Sequence, residues 1–182
     1  MMGFSGNPKT EWLTSEGDDR AMRLLEDFTF TSATGRVWRA GKDDVVNGAS
    51  IPPALWSTVG SPFTGDYRRA SIVHEVACND AAVDRKEADE MFYEACLAGG
   101  VSKHKASVLY AGVRIGAWAS TSLLEGAVVE GLAARTFADV PTPEETFMQG
   151  KLAQIQVDLR SLPCDASLGE IDRLIESHLP IS

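Results

Sequence analysis

The side chains best suited to do chemistry in this sequence are a histidine and a carboxylate that stand next to each other on an apolar helix. The stretch RRASIVHEVACND, residues 68–80, has apolar residues at helical spacing and carries His74 and Glu75 in its middle. An imidazole titrates close to neutral pH, so it can serve as a general base. His74 therefore indicates either a catalytic centre or a buried residue whose hydrogen bonds are satisfied by its neighbours.

A second carboxylate is placed to meet His74. Asp84 begins the next predicted helix, residues 84–98, and Asp89 lies at the edge of its apolar arc, away from the water-facing glutamates. The first helix, residues 66–78, is joined to it by a short connection, which favours antiparallel packing and brings Asp89 towards His74. A carboxylate that accepts from one ring nitrogen fixes the tautomer and leaves the other nitrogen free to take a proton from water. This pattern predicts His74 as a general base and Asp89 as the residue that orients it.

Two other interpretations of the same residues remain open. His74 and Asp89 can bond to each other only to satisfy two polar groups at the edge of the core, as a clasp between helices without catalysis. Cys78 lies four residues after His74 on the same helix face, and a cysteine with a histidine can form a pair of nucleophile and base. A buried free cysteine, however, commonly behaves as a small apolar residue.

The pattern of the whole chain predicts an α+β fold that is mainly α. Residues 26–41, EDFTFTSATGRVWRAG, alternate between apolar and polar side chains about a turn, which predicts a β-hairpin or small sheet. The antiparallel helix pair follows, with Asp66 as the expected cap of its first helix. A long third helix is predicted after Ser102, because Gly99 and Gly100 end the helix before it. An amphipathic C-terminal helical extension completes the fold.

The composition along the chain predicts three parts. Residues 1–20 are polar and rich in glycine, and they indicate a loose lead-in. Residues 21–137 form the predicted core domain. The proline-containing stretch ADVPTPEE marks the start of residues 138–182, the predicted C-terminal helical extension.

The charge of the chain disfavours two classes of partner. The formal net charge is −9 and the isoelectric point about 4.8, so the surface repels phosphate backbones and anionic membranes, and nucleic-acid binding is not expected. A local basic patch remains at Arg68 and Arg69, which could hold an anion or a substrate. The longest apolar stretch is too short to cross a bilayer, so no transmembrane segment is expected.

The cysteines and the N-terminus bear on location. The three cysteines form no CxxC pair and have no metal-binding spacing, which is typical of a reducing compartment. The N-terminus has no apolar core of the kind found in cleavable signal peptides. We therefore expect a soluble protein that is cytoplasmic as synthesised, and exported only by a route that uses no cleavable signal.

The segment NGASIPPALWSTVGSPFTGDYRRASIVHE, followed by RKEADEMFYEA, resembles a family of small bacterial and phage proteins known as domain of unknown function 1353 (DUF1353). The family pattern has an Asp-Gly-Ala-Ser-Ile-Pro stretch, a Gly-Ser-Pro loop, a His-Asp pair with a tyrosine four residues after the histidine, and then Glu-Ala-Asp-x-x-Phe. These blocks occur here in the same order over roughly residues 24–118. The chain departs from the pattern at Asn47, Glu75 and Cys78, where the family has Asp, Asp and Tyr. The resemblance implies an association with phages or prophages, and with it a virion-associated location.

A looser resemblance, over about 25 residues, is to the His-Asp and Asp-x-x-Phe helix pair of the phospholipase A2 group. In that group the histidine activates water, the neighbouring acid holds calcium, and an aspartate on the second helix orients the histidine. These roles would fall here on His74, Glu75 and Asp89. The resemblance therefore implies a divalent cation such as calcium at Glu75.

The motifs indicate a site near the NGASIPP turn and the first helix, with a pocket lined by Asn47, Ser50, Tyr67, Arg68 and Cys78. Two function classes follow. The first is a small His-dependent, metal-assisted hydrolase that acts on an ester, a phospholipid or a cell-envelope substrate. The second is a non-catalytic phage or prophage structural or accessory protein, whose partner is a protein of the phage or of a secretion apparatus. An open pocket beside His74 would favour the first class, and a histidine closed over by side chains would favour the second.

Overall fold

The fold is given by a computed structural model that describes residues 1–14, 21–48, 51–62, 64–126 and 141–179. Within these ranges two small antiparallel sheets come first and a series of helices follows. The expected α+β fold with mainly α content is confirmed. None of the described helices combines the length and the apolar character that crossing a membrane requires.

Each sheet has three short strands. The first sheet has the order β1-β4-β5 and consists of β1 (Gly3–Phe4), β4 (Phe28–Thr31) and β5 (Val37–Ala40). The second has the order β2-β3-β6 and consists of β2 (Thr10–Trp12), β3 (Met22–Leu24) and β6 (Val45–Val46). All pairings are antiparallel.

The predicted hairpin is the pair β4 and β5. Phe30 lies opposite Trp38 in the register, and both are buried, whereas Thr29 and Thr31 are partly exposed. This alternation follows from the two-residue period of a strand. The turn between the strands includes Gly35, whose φ of 86° lies in the left-handed region that glycine adopts at least cost. The sequence pattern was sufficient here because both strands are local neighbours.

Part of residues 1–20, the predicted lead-in, belongs to the two sheets. Gly3 pairs with Thr31, and Thr10 pairs with Leu24, so two segments of the lead-in complete the two sheets. Their pairing partners lie far along the chain, and the polar local pattern carries no sign of them. Residues 15–20 are outside the described residues.

Six helices follow in the described part of the chain. A 3₁₀ turn, Pro53–Leu55, leads into α1 (Trp56–Val59), and the remaining helices are α2 (Arg68–Asn79), α3 (Arg85–Ala98), α4 (Lys103–Gly126), α5 (Pro143–Leu159) and α6 (Leu168–His178). The Asp84 side chain accepts a hydrogen bond from the Glu87 N–H at 3.1 Å, so the predicted start of α3 is confirmed. The expectation that Asp66 caps α2 was wrong. Tyr67 precedes the helix in a helical conformation, and no side chain caps it.

The last two helices pack onto the rest of the molecule. Each begins with a capping box, Thr142 with Glu145 in α5 and Ser167 with Glu170 in α6. Helix α5 contacts α4 and the 3₁₀ turn, and α6 contacts α5 and α4. Their apolar faces join the same buried cluster as the sheets and α2 to α4, through Leu152, Ile155, Leu159, Ile171 and Ile175. The division of the chain at residue 138 into separate domains stays a prediction.

The shared core predicts that a cavity in α5 weakens the fold. Ile155 is fully buried, so Ile155→Ala should lower the free energy of unfolding by about 2–5 kcal/mol. Val157, two residues further on the same helix, is 63% exposed, and Val157→Ala should change it by less than about 0.5 kcal/mol. Urea unfolding measures both. An unchanged midpoint for Ile155→Ala would show that α5 does not belong to the common core.

Candidate functional site

The imidazole of His74 lies wholly inside the protein, between α2 and α3. Its Nε2 atom is 2.7 Å from Oδ1 of Asp89, and its ring packs against the ring of Phe92 with 4.8 Å between the ring centres. Both His74 and Asp89 have no exposed side-chain surface. The two helices are an antiparallel pair joined by a short connection. The structure thus brings together the two residues that the sequence pairs, while the catalytic role of either stays a prediction.

The other ring nitrogen of His74 has no partner among the residues that the structure describes. Nδ1 is buried, and no hydrogen bond to it forms within the described ranges. A short contact with a carboxylate assigns the ring proton to Nε2, which then donates to Asp89. Nδ1 is therefore an unprotonated acceptor that no donor of the described residues reaches. Leaving a buried acceptor unpaired costs about 1–3 kcal/mol, so this atom requires an explanation.

Asp89 is held by cations as well as by His74. The Nε of Arg85, one turn earlier on α3, is 3.1 Å from Oδ1, and Nη1 of Arg114 on α4 is 3.3 Å from Oδ2. Burial alone would raise the pKa of Asp89, but the hydrogen bond from His74 and the nearby positive charges hold that pKa below its usual range. The carboxylate is therefore ionised at neutral pH and ties three helices together.

The same charges continue to the last helix. Arg114 Nε lies 3.7 Å from Oδ1 of Asp172 on α6, and the Tyr110 hydroxyl donates to that Asp172 oxygen at 2.8 Å. Lys86 of α3 pairs with Asp172 at 2.5 Å and with Glu176 at 2.9 Å. No local pattern in the sequence indicates the contact between Arg114 and Asp172. The spacing of Arg85 and Asp89, four residues apart on one helix, is the signal that could have identified Arg85.

Burial sets the protonation of His74. It lowers the pKa of His74 and outweighs the attraction of Asp89, while the charge of Arg85 lowers the pKa further. The ring is therefore neutral at pH 7 in the folded protein. A neutral imidazole that an ionised carboxylate orients can serve as a general base. It can equally serve only as a buried hydrogen-bond donor in the core.

Glu75 faces a different part of the molecule. Its two carboxylate oxygens accept the backbone N–H of Asn47 at 2.6 Å and of Gly48 at 2.8 Å. Burial raises the pKa of Glu75, and the two amide bonds offset part of the effect. Gly48 has a φ of 74°, which lets the turn present two successive amides. Glu75 thus fastens the turn after β6 to α2.

These contacts do not suit calcium at Glu75. Calcium requires six to eight oxygen ligands, whereas the described turn directs N–H groups at the carboxylate. The cation that the phospholipase A2 resemblance implies therefore does not fit the described residues. Ser50, the other turn residue expected at the site, lies outside them.

Cys78 contributes the third donor atom near His74. Its Sγ is 3.4 Å from Nε2 of His74, and the three side chains of His74, Cys78 and Asp89 place donor atoms within 4.8 Å of one another. A metal would need the thiolate, but burial raises the pKa of Cys78 to about 12. The guanidinium groups of Arg85 and Arg114 also oppose a divalent cation at Asp89. The same thiol pKa disfavours Cys78 as a nucleophile.

The other residues expected to line a pocket are not gathered around His74. Tyr67 is buried, and its hydroxyl donates to the Ser61 carbonyl at 2.7 Å. Arg68 is exposed. It lines a cavity of about 440 Å³ together with Trp12 of β2 and Lys9, the residue before β2. Among the cavities formed by the described residues, neither this one nor a second near α6 is lined by His74.

Comparison with known proteins identifies relatives of the central part of the chain. A family model described as "Protein of unknown function (DUF1353)" matches residues 22–113. The match includes His74 and Asp89 and ends one residue before Arg114, so α5 and α6 lie beyond it. No solved structure is significantly similar to the chain.

Two relatives come from Sinorhizobium fredii (strain NBRC 101917 / NGR234). "Uncharacterized protein y4iH" is 37% identical over 94 residues, which cover 52% of this chain and 39% of that protein. "Uncharacterized protein y4jT" is 33% identical over 108 residues, which cover 59% of this chain and 32% of that protein. The chain therefore covers well under half the length of either relative.

The lowered pKa of His74 predicts a loss of stability in mild acid. Below about pH 6.5 the unfolded chain protonates this histidine, whereas the folded protein keeps it neutral, so stability present above that pH declines as pH falls. We expect the difference in the free energy of unfolding between wild type and His74→Gln to fall by up to about 1.4 kcal/mol for each pH unit of acidification. Urea unfolding of both proteins from pH 7.5 to 5 measures this difference. A difference that stays constant or grows in acid would contradict a neutral buried ring.

The charges around Asp89 predict a large cost for removing its carboxylate. Asp89→Asn keeps the shape of the side chain but removes the fully buried carboxylate that Arg85 and Arg114 share, so the free energy of unfolding should fall by about 3–5 kcal/mol. Glu26 pairs with Lys9 at 2.9 Å on the surface and serves as the matched control. Glu26→Gln should cost less than about 1 kcal/mol. Urea unfolding at pH 7 compares them, and equal costs would contradict the structural role of Asp89.

Proposed function

The chain belongs to the DUF1353 family of proteins of unknown function, and we propose that it is a non-catalytic structural or accessory protein in which the contact between His74 and Asp89 is a clasp of the fold. The observation that carries the proposal is the complete burial of the His74 side chain. A general base must come within hydrogen-bond distance of the water it activates. Here the ring is covered by the side chains of its own core.

The partners of Asp89 support the same conclusion. Its carboxylate accepts hydrogen bonds from α2, α3 and α4, and through Arg114 the charges extend to α6. An aspartate that only oriented a catalytic base would not need two guanidinium groups, which reduce its power to raise the basicity of the histidine. The arrangement is suited to fix the mutual position of the helices.

The biological setting forms the second part of the proposal. The resemblance of the motifs to phage and prophage proteins supports a structural or accessory role of that origin. Under the proposal the protein acts by binding another protein, in a phage particle or a secretion apparatus. In this role, the contact between His74 and Asp89 stabilises the helices whose outer surface binds the partner protein.

A second candidate function is a His-dependent hydrolase, and one observation favours it. The Nδ1 atom of His74 has no hydrogen-bond partner in the described part of the chain, while Asp89 holds Nε2. A carboxylate on one ring nitrogen and a free lone pair on the other is the arrangement of a general base. An ester, phospholipid or cell-envelope substrate would reach this atom only after the side chains that bury His74 move away. The hydrolase therefore requires an open state of the protein, whereas the clasp does not.

Chemical modification separates the two candidates. Diethyl pyrocarbonate acylates neutral imidazole that solvent reaches, and His104 on the surface of α4 is an internal reference. The clasp predicts that His74 reacts at least about a thousandfold more slowly than His104, since access requires unfolding. Mass spectrometry of peptides measures each histidine separately. In denaturing urea the rates of the two residues should become similar.

Modification of His74 in the native protein at a rate near that of His104 would refute the clasp. The hydrolase then gains a direct test with p-nitrophenyl esters of acetate and octanoate. Turnover that disappears in His74→Gln but remains in His104→Gln would establish a reactive base at residue 74. Absence of turnover together with fast modification would count against both candidates.

A further inference from the structure

A second cavity lies where the C-terminal helices meet the start of α4. It has a volume of about 400 Å³, is open to solvent on one side, and is lined by the first turns of α4, the end of α5 and the connection to α6. Volumes of this size are typical of sites for small organic ligands. Most of its wall comes from residues beyond the part of the chain that matches the family, so the cavity depends on the C-terminal helices.

The polar side of the cavity is positively charged. Lys103, His104 and Arg160 line it, and no acidic residue is among its described lining residues. This is unusual in a chain with a formal net charge of −9. A local positive charge on an acidic protein attracts anions to one place and leaves the rest of the surface repulsive to them.

Each basic group retains the capacity to bind. The Lys103 ammonium donates to the backbone carbonyl of Cys164 at 2.9 Å and has further N–H groups to offer. His104 and Arg160 are exposed. Glu170 lies near enough for Lys103 to act on its pKa, but that carboxylate is engaged first by the N–H and hydroxyl of Ser167. The first amides of α4, which have no partner within a helix, add to the positive potential.

The opposite side of the cavity is apolar. It is lined by aliphatic side chains from α5, α6 and the connection between them, namely Leu159, Leu162, Pro163, Ala166 and Ile171. Leu159, Ala166 and Ile171 are at the same time part of the buried interior. An inorganic anion would make no use of this wall, whereas a hydrocarbon chain would remove it from water.

From this combination we propose that the cavity binds a small amphipathic anion, a carboxylate that carries a short hydrocarbon chain. The carboxylate lies between Lys103, His104 and Arg160, and the chain packs against Leu162 and Ile171. The site is independent of the clasp at His74, which lies elsewhere between α2 and α3. It gives the C-terminal helices a ligand-binding function that the family match does not cover.

Cys164 provides a direct measure of occupancy. It is an exposed free thiol in the wall of the cavity, whereas Cys96 is buried and Cys78 is half-buried. Octanoate is the probe, and the rate of Cys164 alkylation by the neutral reagent iodoacetamide is followed by mass spectrometry of its peptide. Saturating octanoate should slow the alkylation at least about fivefold, because the bound molecule covers the sulfur. Titration calorimetry measures the affinity independently.

Two matched ligands test the two halves of the site. Octan-1-ol has the chain without the charge, and inorganic phosphate has charge without the chain. Both should bind at least about tenfold more weakly than octanoate, since each loses one of the two sets of contacts. Added salt should weaken octanoate, because the charged groups are partly exposed.

Two variants test the residues. Lys103→Gln combined with Arg160→Gln should weaken octanoate about tenfold or more and leave octan-1-ol unchanged. Ala166→Leu, which fills the cavity, should weaken both. Lys42→Gln is the control. Lys42 is exposed and lies in the turn between β5 and β6, outside the cavity, so this substitution should have no effect. Thermal unfolding confirms that each variant is folded.

The proposal is overturned if octanoate neither protects Cys164 nor releases heat on titration. It is also overturned if phosphate or octan-1-ol binds as tightly as octanoate, since the site would then recognise only one half of the ligand. Equal weakening by Lys42→Gln and the double variant would reduce the effect to net charge and would likewise refute the cavity as its location.

Discussion

The carboxylate of Asp89 is the constraint on which the packing of the helices depends. An ionised group without solvent contact is costly unless it is neutralised and fully hydrogen-bonded. Here His74 supplies a ring N–H, and Arg85 and Arg114 supply positive charge from two helices. One charge therefore links α2, α3 and α4 within their shared apolar core, and Asp172 extends the linkage to α6.

The bond between Asp89 and His74 explains why one pair of residues is compatible with both candidate functions, the clasp and the hydrolase. A histidine bonded to an aspartate through Nε2 has the geometry of an oriented base whether or not water reaches Nδ1. What distinguishes a base from a clasp is access, and His74 is closed over by Phe92 and its neighbours in the described structure. Of the side chains next to His74 in the helix, Cys78 also contacts Nε2, whereas Glu75 contacts the amides of Asn47 and Gly48.

Features formed by residues close together in the chain could be predicted from the sequence, and those formed by distant residues could not. The hairpin β4–β5, the cap at Asp84 and the facing of His74 and Asp89 depend on neighbours in one or two adjoining elements, and local periodicity revealed them. The strands in the lead-in and the contact of Arg114 with Asp172 join distant segments, so no local pattern indicates them. The sequence favours Glu75 as a metal ligand, because the backbone amides that it contacts have no signature in a sequence. The cavity near Cys164 has no local pattern either, since it exists only where the C-terminal helices meet α4.

The most direct test of the clasp is the protonation of His74 in the folded protein, observed by long-range ¹H–¹⁵N correlation of the imidazole rings, with His74→Gln to assign its signals. The account predicts a neutral ring protonated at Nε2, which stays neutral below the pH at which a free imidazole becomes protonated. A His74 ring that titrates reversibly in the folded protein, or that carries its proton on Nδ1, would contradict it.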